Sequence, residues 1–361
     1  MSTADSAVVF PPSKSTVTVK LINPVNFGPA QIHRFMTPPV PGLATFPTSP
    51  SLCFLIEHHS GRKLVWDLGI RKDFHNYAPK IRDYLPTTKY HIEVEQNLVD
   101  ILEDQGIKGS DIEAVIWSHW HWDHIGDPST FPNTTDLVVG PGFKDAMLPG
   151  APLNPDSPIL ESDYKGRELR EINFEGPHAL QIGRFKAIDY FEDGSFFLLD
   201  SPGHAVGHMC GLARTTSEPA TFILLGGDVC HYAGIFRPSS QLAMPASISP
   251  HPCLPLSHEP FCPGHAWEQL QKSRGRETDQ SVYDMTFGLD IPLANQTKSM
   301  LEDLDCDENV FVIIAHDSTV RDGVPHFPAS LNDWKERGWS RDLKWAFLRD
   351  LRHYWDSKSV A

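Results

Sequence analysis

The stretch "IWSHWHWDHIGD", residues 116–127, places three histidines and two aspartates directly after an apolar run. His119 and His121 are two residues apart, the repeat of an extended strand, whereas neighbours on a helix face are three or four residues apart. The segment is therefore predicted to be a strand end that runs into a loop. Two histidines that alternate on an extended backbone can converge on one metal ion, while Asp123 and His124, beyond the bend, can face a second ion. The H-x-H-x-D-H pattern thus predicts a metal-binding loop.

The composition of the 361 residues, 40% apolar and 21% charged, is typical of a globular protein of one or two domains. The net charge of -15 has the wrong sign for binding a phosphate backbone, so a nucleic-acid partner is not expected. No apolar run reaches the roughly 18 residues of a membrane span, and the first residues lack the basic start and apolar stretch of a signal peptide. We therefore expect a cytoplasmic protein without a membrane partner, and its oligomeric state stays open.

The six cysteines are too few for a disulfide scaffold in a chain of this length. Cys53, Cys210, Cys230 and Cys306 lie in ordinary or apolar contexts. We expect these four to be buried, reduced thiols.

The rest of the chain is dominated by apolar segments of strand length. Residues 51–69 suggest two strands joined by a turn, and residues 93–107 have the apolar spacing of a helix closed by Gly106. Further strands are predicted within 136–142, 178–191, 195–203, 211–228 and 309–317. This order favours an α/β fold in which two mixed sheets pack face to face with helices outside.

Proline-rich segments suggest where the chain divides. Residues 1–50 contain nine prolines and are predicted to form an N-terminal extension that packs on the core, with residues 51–361 as the main domain. Residues 237–265 contain seven prolines between two candidate metal ligands, so residues 237–300 are predicted to be an insertion that covers the substrate. Residues 330–361 are predicted to be a C-terminal helical segment docked on the sheet.

Three further apolar strands end at side chains that can bind metal. The segment "DSPGHAVGHMCG" presents His204 and His208, "LLGGD" ends at Asp228, and "VFVIIAHDS" ends at His316. Ligands at the edge of a rigid sheet are the arrangement expected of a preorganised site.

Taken in this order, the motifs resemble those of the metallo-β-lactamase fold hydrolases, which have an αββα sandwich with a binuclear metal site at one edge. The resemblance spans roughly residues 50–320 and includes "WDLG", "SHWHWDH", "SPGHAVGH", "GGD" and "AHD". It implies a first metal bound by His119, His121 and His204, a second bound by Asp123, His124 and His316, and Asp228 bridging both. It also implies that His208 lies behind the ligands and that Asp67 braces the metal loop.

The resemblance implies two divalent ions, with zinc expected first and manganese, iron or cobalt as alternatives for the same ligands. Two ions about 3.5 to 4 Å apart hold a bridging water and lower its pKa toward about 7. The resulting hydroxide is predicted to attack a substrate carbonyl, and Asp123 or Asp228 can relay the proton.

The sequence is most similar to the lactonase-like branch, which includes acyl-homoserine lactone hydrolases and fungal proteins that open lactams. It is therefore predicted to open a small cyclic amide or ester, with a xenobiotic such as benzoxazolinone as one candidate. In lactonases a tyrosine soon after the bridging aspartate assists the carbonyl; here His231 stands at that place and Tyr232 follows, so both remain candidates for this catalytic role. The alternative is an acyl thioesterase of the glyoxalase II or polyketide-releasing type, although no basic patch for glutathione or phosphopantetheine is evident.

Three tryptophans surround the ligand motif. Trp117 should point into the core because it alternates inward on a strand, whereas Trp120 and Trp122 flank the ligands and are expected to shape the mouth of the site.

Overall fold

The computed structural model of the protein describes residues 8–254 and 256–359. Three parts of the predicted segments therefore lie outside the described residues: 1–7 of the N-terminal extension, 255 of the insertion, and 360–361 of the C-terminal segment.

The first of two large sheets is mixed. Its six strands, in the order in which they lie across the sheet, are β1 (Val17–Ile22), β2 (Cys53–His58), β3 (Lys63–Trp66), β4 (Ala114–Ile116), β5 (Asp136–Val139) and β6 (Leu169–Glu171). The strands β1 to β3 are antiparallel, and β3 to β6 are parallel.

The second large sheet also has six strands. They are β7 (Ala179–Ile182), β8 (Phe185–Asp189), β9 (Phe196–Asp200), β10 (Met209–Ser217), β11 (Ala220–Leu225) and β12 (Val310–Ile313). All neighbours are antiparallel except β11 and β12, which are parallel. The predicted α/β fold with two mixed sheets is confirmed.

The core lies on both faces of the second sheet. Alternate residues of β9 point to opposite faces, so Phe196 and Leu198 join Trp66 of the first sheet in one apolar cluster. Phe197 and Leu199 belong to a different cluster on the outer face, which the helical segments near the C-terminus cover. A strand buried on both faces is apolar at every position, which is why this one appeared in the sequence as a continuous hydrophobic run.

Helices lie outside the two sheets. The α-helices are Pro79–Thr88, Leu98–Glu103, Trp122–Ile125, Phe143–Met147, Glu161–Tyr164, Gly264–Ser273, Ile291–Asp305, Ser318–Gly323, Trp334–Arg337, Trp339–Leu343 and Arg352–Ser359. Short 3-10 helices are Ile32–Arg34, Phe74–Asn76, Gly109–Asp111, Pro128–Thr130, Ala233–Ile235 and Ala346–Leu351. In the part of the chain that the structure describes, none of the helices combines the length and the apolar character needed to cross a bilayer.

The helix predicted within residues 93–107 is shorter than its apolar pattern suggested and covers Leu98–Glu103. The Asp100 side chain accepts a hydrogen bond from the Asn97 backbone N–H at 3.0 Å, so the helix begins after Asn97. The residues before it pair elsewhere, since His91–Glu93 forms a strand against Asn26–Gly28.

Part of the predicted N-terminal extension belongs to the core sheet. All six residues of β1 pair with β2, in a register from Val17 opposite His58 to Ile22 opposite Cys53. The following residues form small sheets with the strands Asn26–Gly28, Ala30–Gln31, Met36–Thr37, Thr45–Phe46, Ser49–Pro50, His91–Glu93 and Asp284–Met285.

The cysteines follow the expectation with one exception. Cys53, Cys210 and Cys230 are buried, and all six cysteines are unpaired. Cys306 is exposed instead of buried, because it lies at the C-terminal cap of the helix Ile291–Asp305.

Candidate metal centre

The predicted ligands meet because several strands end at the same edge of the sandwich. Strands β11 and β12 are parallel, with Leu225 opposite Ile313, so Asp228 and His316 each follow three residues after a matched strand end. The two sheets are joined at this edge by a hydrogen bond from the Met209 backbone N–H to the Ser118 carbonyl oxygen, at 2.8 Å. The histidine-rich loop after β4 therefore lies next to the loops of the second sheet.

The first group of possible ligands consists of His119, His121, His204 and Asp228, whose ligand atoms all lie within 4.8 Å of one another. The Nε2 atom of His204 lies 3.1 Å from Nε2 of His119 and 2.9 Å from Nδ1 of His121. Three ring nitrogens thus converge on one point, as they would around a metal ion.

The second group consists of Asp123, His124 and His316. Asp228 lies between the groups: its Oδ1 atom is 3.1 Å from Nε2 of His124, and its Oδ2 atom is 3.6 Å from Nε2 of His204. Nε2 of His316 lies within 3.2 Å of both oxygens. One carboxylate therefore faces both groups, which is the placement that a bridging ligand requires.

Two buried atoms in this cluster show that the residues fit cations. Nε2 of His124 and Oδ1 of Asp228 are buried and make no hydrogen bond of acceptable geometry among the described residues. Buried polar atoms without a partner are costly, and a cation between them would remove that cost. Imidazole and carboxylate ligands suit zinc, manganese, iron or cobalt, so the donor set fits a dimetal site without specifying the metal.

The histidines of the first group are held in the protonation state that metal binding needs. Burial lowers the pKa of His119 and His204 well below the ordinary value, and lowers that of His121 to about 3. These rings are therefore neutral at physiological pH and present lone pairs. Burial opposes ionisation of Asp228, but the neighbouring His316 and His124 rings hold its pKa well below the usual range.

Residues behind the ligands fix their orientation. Asp67, whose side chain is fully buried, accepts hydrogen bonds from the Ser118 backbone N–H at 2.6 Å and the Ser118 hydroxyl at 2.7 Å, and its Oδ2 atom contacts Nδ1 of His124. His208 is equally buried, and its Nε2 atom accepts a hydrogen bond from the Asp228 backbone N–H at 3.0 Å. Both residues thus take the places behind the ligands that the sequence suggested for them.

A cavity of about 370 Å³ opens onto the two groups. His121, Asp123, Asp228, His231 and His316 lie at its inner end. The remaining lining residues are mostly aromatic or aliphatic: Phe27, Ala30, Phe35, Met36, Phe46, Ser49, Lys80, Ile81, Tyr84, Tyr90, Trp120, Trp122 and Phe287.

The origin of these lining residues differs from the prediction for the insertion. Of the described residues within 237–300, Phe287 lines the cavity, whereas residues 27–49 contribute six of the lining side chains. The proline-rich residues 237–254 and 256–265 lie elsewhere, and Ile248 pairs with Phe261 in an isolated bridge. The N-terminal arm therefore supplies more of the cavity wall than the insertion does. The signal for the arm was a set of aromatic residues in a proline-rich segment.

The three tryptophans lie where they were expected, although β4 ends at Ile116 and Trp122 is the first residue of a short helix. Trp117 is buried and donates a hydrogen bond from Nε1 to the Ile125 carbonyl oxygen at 3.1 Å. Trp120 and Trp122 line the cavity. Trp122 packs edge-on against Phe27, with ring centroids 5.2 Å apart.

Comparison with known proteins decides the family. The sequence-family model of the metallo-beta-lactamase superfamily matches residues 47–228 of the chain. The chain is 41% identical to gamma-lactamase FDB1 of Fusarium pseudograminearum (strain CS3096) over 355 residues. The matched region covers 95% of this chain and 84% of that protein. The chain belongs to the metallo-β-lactamase superfamily.

Other relatives support the same family and fold. The metallo-hydrolase mfmC of Annulohypoxylon moriforme is 41% identical over 358 residues, which is 98% of this chain and 93% of that protein. Among solved structures, an N-acyl homoserine lactone hydrolase with N-hexanoyl-L-homoserine at its catalytic metal centre superposes with a TM-score of 0.55. That match covers 89% of this chain and all of the other at 16% identity, so it supports the fold alone. The protein is a metallo-hydrolase of this superfamily.

The two candidates for assisting the carbonyl occupy different places in this superfamily member. His231 lines the cavity, with Nε2 3.3 Å from Oδ2 of Asp228. Tyr232 is buried, and its hydroxyl donates to the Phe347 carbonyl oxygen at 2.9 Å. Its ring contacts the rings of Phe46 and Phe347 beside a second, smaller cavity. His231 is therefore the candidate that faces the cluster of possible ligands, whereas the Tyr232 hydroxyl is bonded to a backbone carbonyl.

Proposed function

We propose that the enzyme binds two divalent metal ions and opens a small cyclic amide or ester, with zinc as the first candidate and manganese, iron or cobalt as alternatives. The observation that carries the proposal is the position of Asp228 between two complete groups of ligands. In this proposal His119, His121 and His204 hold one ion, Asp123, His124 and His316 hold the other, and Asp228 bridges them. When bound, the ion pair would supply a hydroxide nucleophile at neutral pH and polarise the carbonyl.

The chain's own residues have defined parts in the reaction. The oxygen of water forms a bond to the carbonyl carbon, the ring C–N or C–O bond breaks, and the leaving nitrogen or oxygen takes a proton. Asp123 and Asp228 are the carboxylates placed to hold and return that proton. His231 lines the cavity with Nε2 3.3 Å from Oδ2 of Asp228, so its ring is the side chain that this proposal places beside the developing oxyanion.

The lining of the cavity supports an aromatic substrate. Phe27, Phe35, Trp120, Trp122 and Phe287 present apolar faces next to the ligand cluster. A flat benzo-fused ring, as in benzoxazolinone, buries its faces against such a wall, while its carbonyl reaches the ligands. The resemblance to a named gamma-lactamase points to the same kind of bond. The partner in this proposal is therefore a small molecule.

The test combines metal content with ring opening. Elemental analysis of the purified protein should find two metals per chain. In a panel of γ-lactones, δ-lactones, benzoxazolinone, β-lactams and acyl thioesters, at least one class of ring should be opened. Asp228→Asn should lose both the second metal and the activity, because an amide cannot bridge two cations as a carboxylate does. Asp145→Asn, on an exposed residue of the helix Phe143–Met147, is the matched control.

Two results would overturn the proposal. One metal per chain in fully active protein would remove the bridging role of Asp228. Cleavage of acyl thioesters with inert rings would move the enzyme to the thioesterase alternative. A cytoplasmic location and the lack of a nucleic-acid partner stay predictions from composition.

A further inference from the structure

The outer part of the cavity wall carries a positive charge. The helix Pro79–Thr88 contributes Lys80, Ile81 and Tyr84. Tyr84 lies three residues after Ile81 and four after Lys80, so it neighbours both on the helix surface. Lys80 is exposed and is the sole lysine or arginine among the residues that line this cavity. The other titratable acid and imidazole groups in the lining are Asp123, Asp228, His121, His231 and His316, at the inner end of the cavity.

A second cation lies next to this face. Arg34, at the end of the 3-10 helix Ile32–Arg34, donates a hydrogen bond from Nη2 to the Tyr84 hydroxyl at 2.9 Å. Among the residues that the structure describes, no carboxylate lies within ion-pair distance of Lys80 or Arg34. Two unneutralised cations at one cavity are notable in a chain whose net charge is -15, because most of its surface repels anions.

We propose that Lys80, with Arg34 beside it, binds a carboxylate carried by the substrate on the part of its ring system remote from the reacting carbonyl. The inference rests on the proposed function, since it assigns each of the two ends of one substrate to a different part of the cavity. The carbonyl end meets the ligand cluster, the ring lies between the aromatic side chains, and the anionic end meets the helix. Lysine is suited to this role as a point charge on a flexible stem, and arginine adds a planar fork of donors.

Electrostatics supports this division of the cavity. The reaction requires the carbonyl at the ligand cluster, so a substituent on the remote side of the ring system lies away from that cluster and towards the helix Pro79–Thr88. A carboxylate at that position meets Lys80, the one lysine or arginine among the described residues that line the cavity. The same cation would also attract anionic substrates from solution, since a charged group at a cavity mouth raises the local concentration of its counter-ion.

The first arm of the test measures binding without turnover. The probes are 2-indanone carrying a carboxylate on its benzene ring and the same ketone carrying a carboxamide, because neither contains a ring bond that hydrolysis can break. Calorimetry with the metal-loaded protein should give a Kd for the carboxylate that is about three- to tenfold lower than for the carboxamide. Lys80→Gln should bring that ratio close to one, and Lys80→Glu should invert it.

A matched control and a second variant keep the result specific. Arg82→Gln removes the same charge from the same helix, but Arg82 pairs with Asp83 and does not line the cavity, so the ratio should stay as in the wild type. Arg34→Gln should reduce the ratio by less than Lys80→Gln, since Arg34 contacts the cavity through Tyr84. A circular dichroism spectrum of each variant checks that the fold is retained.

The second arm measures hydrolysis of 2-coumaranone and benzoxazolinone, each with the carboxylate or the carboxamide. We expect the preference for the carboxylate to appear in KM and to fall with Lys80→Gln. Equal affinity of the wild type for the two indanones, or a ratio that survives Lys80→Gln, would overturn the inference even if all rings are opened. Inert rings together with a charge-dependent Kd would instead contradict the proposed function and leave the anion site standing.

Discussion

The Oδ2 atom of Asp67 lies 2.9 Å from Nδ1 of His124, so a carboxylate buried behind the metal loop aims the other ring nitrogen of His124 at Asp228. Asp67 adopts a φ of 57°, in the left-handed region that is unusual for residues other than glycine. The hydrogen bonds from Ser118 hold it in this conformation. Residues whose contacts hold them in an uncommon backbone conformation cluster at functional sites.

The contact between Asp67 and His124 predicts a role in metal affinity. Asp67→Asn replaces a charged acceptor by a neutral amide, so the His124 ring becomes a weaker and less well oriented ligand. We expect the affinity for one of the two metals to fall about 10- to 100-fold, measured by competition with a chromophoric chelator. The exposed control Asp145→Asn should bind metal as the wild type does. Unchanged affinity in Asp67→Asn would show that the brace has no part in metal binding.

The roles of His231 and Tyr232 can be separated by substitution. His231→Ala should lower kcat for ring opening by about 10²- to 10³-fold if His231 donates to the oxyanion. Tyr232→Phe should lower the thermal stability and have little effect on kcat, because its hydroxyl bonds to the Phe347 carbonyl oxygen. Steady-state kinetics with thermal unfolding of both variants gives the answer. The opposite pattern, with kcat lost in Tyr232→Phe alone, would return the catalytic role to the tyrosine.

Burial of Asp163 predicts a pH dependence of stability. Burial raises the pKa of Asp163 from 3.8 to about 7, although the Leu160 backbone N–H donates to its Oδ2 atom at 2.8 Å. A raised pKa means that the folded state binds the proton more tightly than the unfolded state does. The contribution of Asp163 to stability is therefore fully present below about pH 4 and lost as the pH rises through about 7.

Asp163→Asn should remove this dependence. The free energy of unfolding of the variant minus that of the wild type should be larger at pH 8 than at pH 5, by about 2 to 3 kcal/mol. Urea titrations at both pH values measure the difference, with Asp145→Asn as the exposed control. A difference between variant and wild type that is identical at the two pH values would contradict the assignment.

The ion pair of Arg237 with Asp305 predicts a large effect on stability. Both residues are buried, with Nε of Arg237 2.8 Å from Oδ2 of Asp305, and Arg237 also donates to the Lys344 carbonyl oxygen at 2.9 Å. Asp305→Ala leaves a buried guanidinium without its partner and should lower the free energy of unfolding by about 3 to 5 kcal/mol.

The control for this pair is Arg341, which pairs with Asp342 on the surface. Arg341→Ala should leave the unfolding midpoint in urea close to that of the wild type, because exposed ion pairs contribute little. Similar midpoints for Asp305→Ala and Arg341→Ala would mean that the buried pair is dispensable.

Local patterns in the sequence were sufficient to predict the sandwich fold. Strands such as β9 and β12 are buried on both faces, so they appear in the sequence as continuous apolar runs. Such runs can be recognised without knowing which strands they pair with. The clustering of the candidate ligands could also be anticipated, since His119, His121, Asp123 and His124 are fixed in six positions and the others follow apolar strands. The ends of helices were less predictable. The helix Leu98–Glu103 is shorter than expected because Asn97 caps it and the residues before it pair in a small sheet.

The sequence by itself therefore determined the fold class and the chemistry that the clustered ligands can support, because both depend on short-range patterns and on side-chain type. Only the tertiary structure decided what surrounds the ligands. Residues from Phe27 to Phe287 meet in one cavity, and Lys80 joins them from a helix that no ligand motif indicates. Such contacts depend on how distant segments pack, and a proline-rich arm has no periodicity from which its docking site can be inferred.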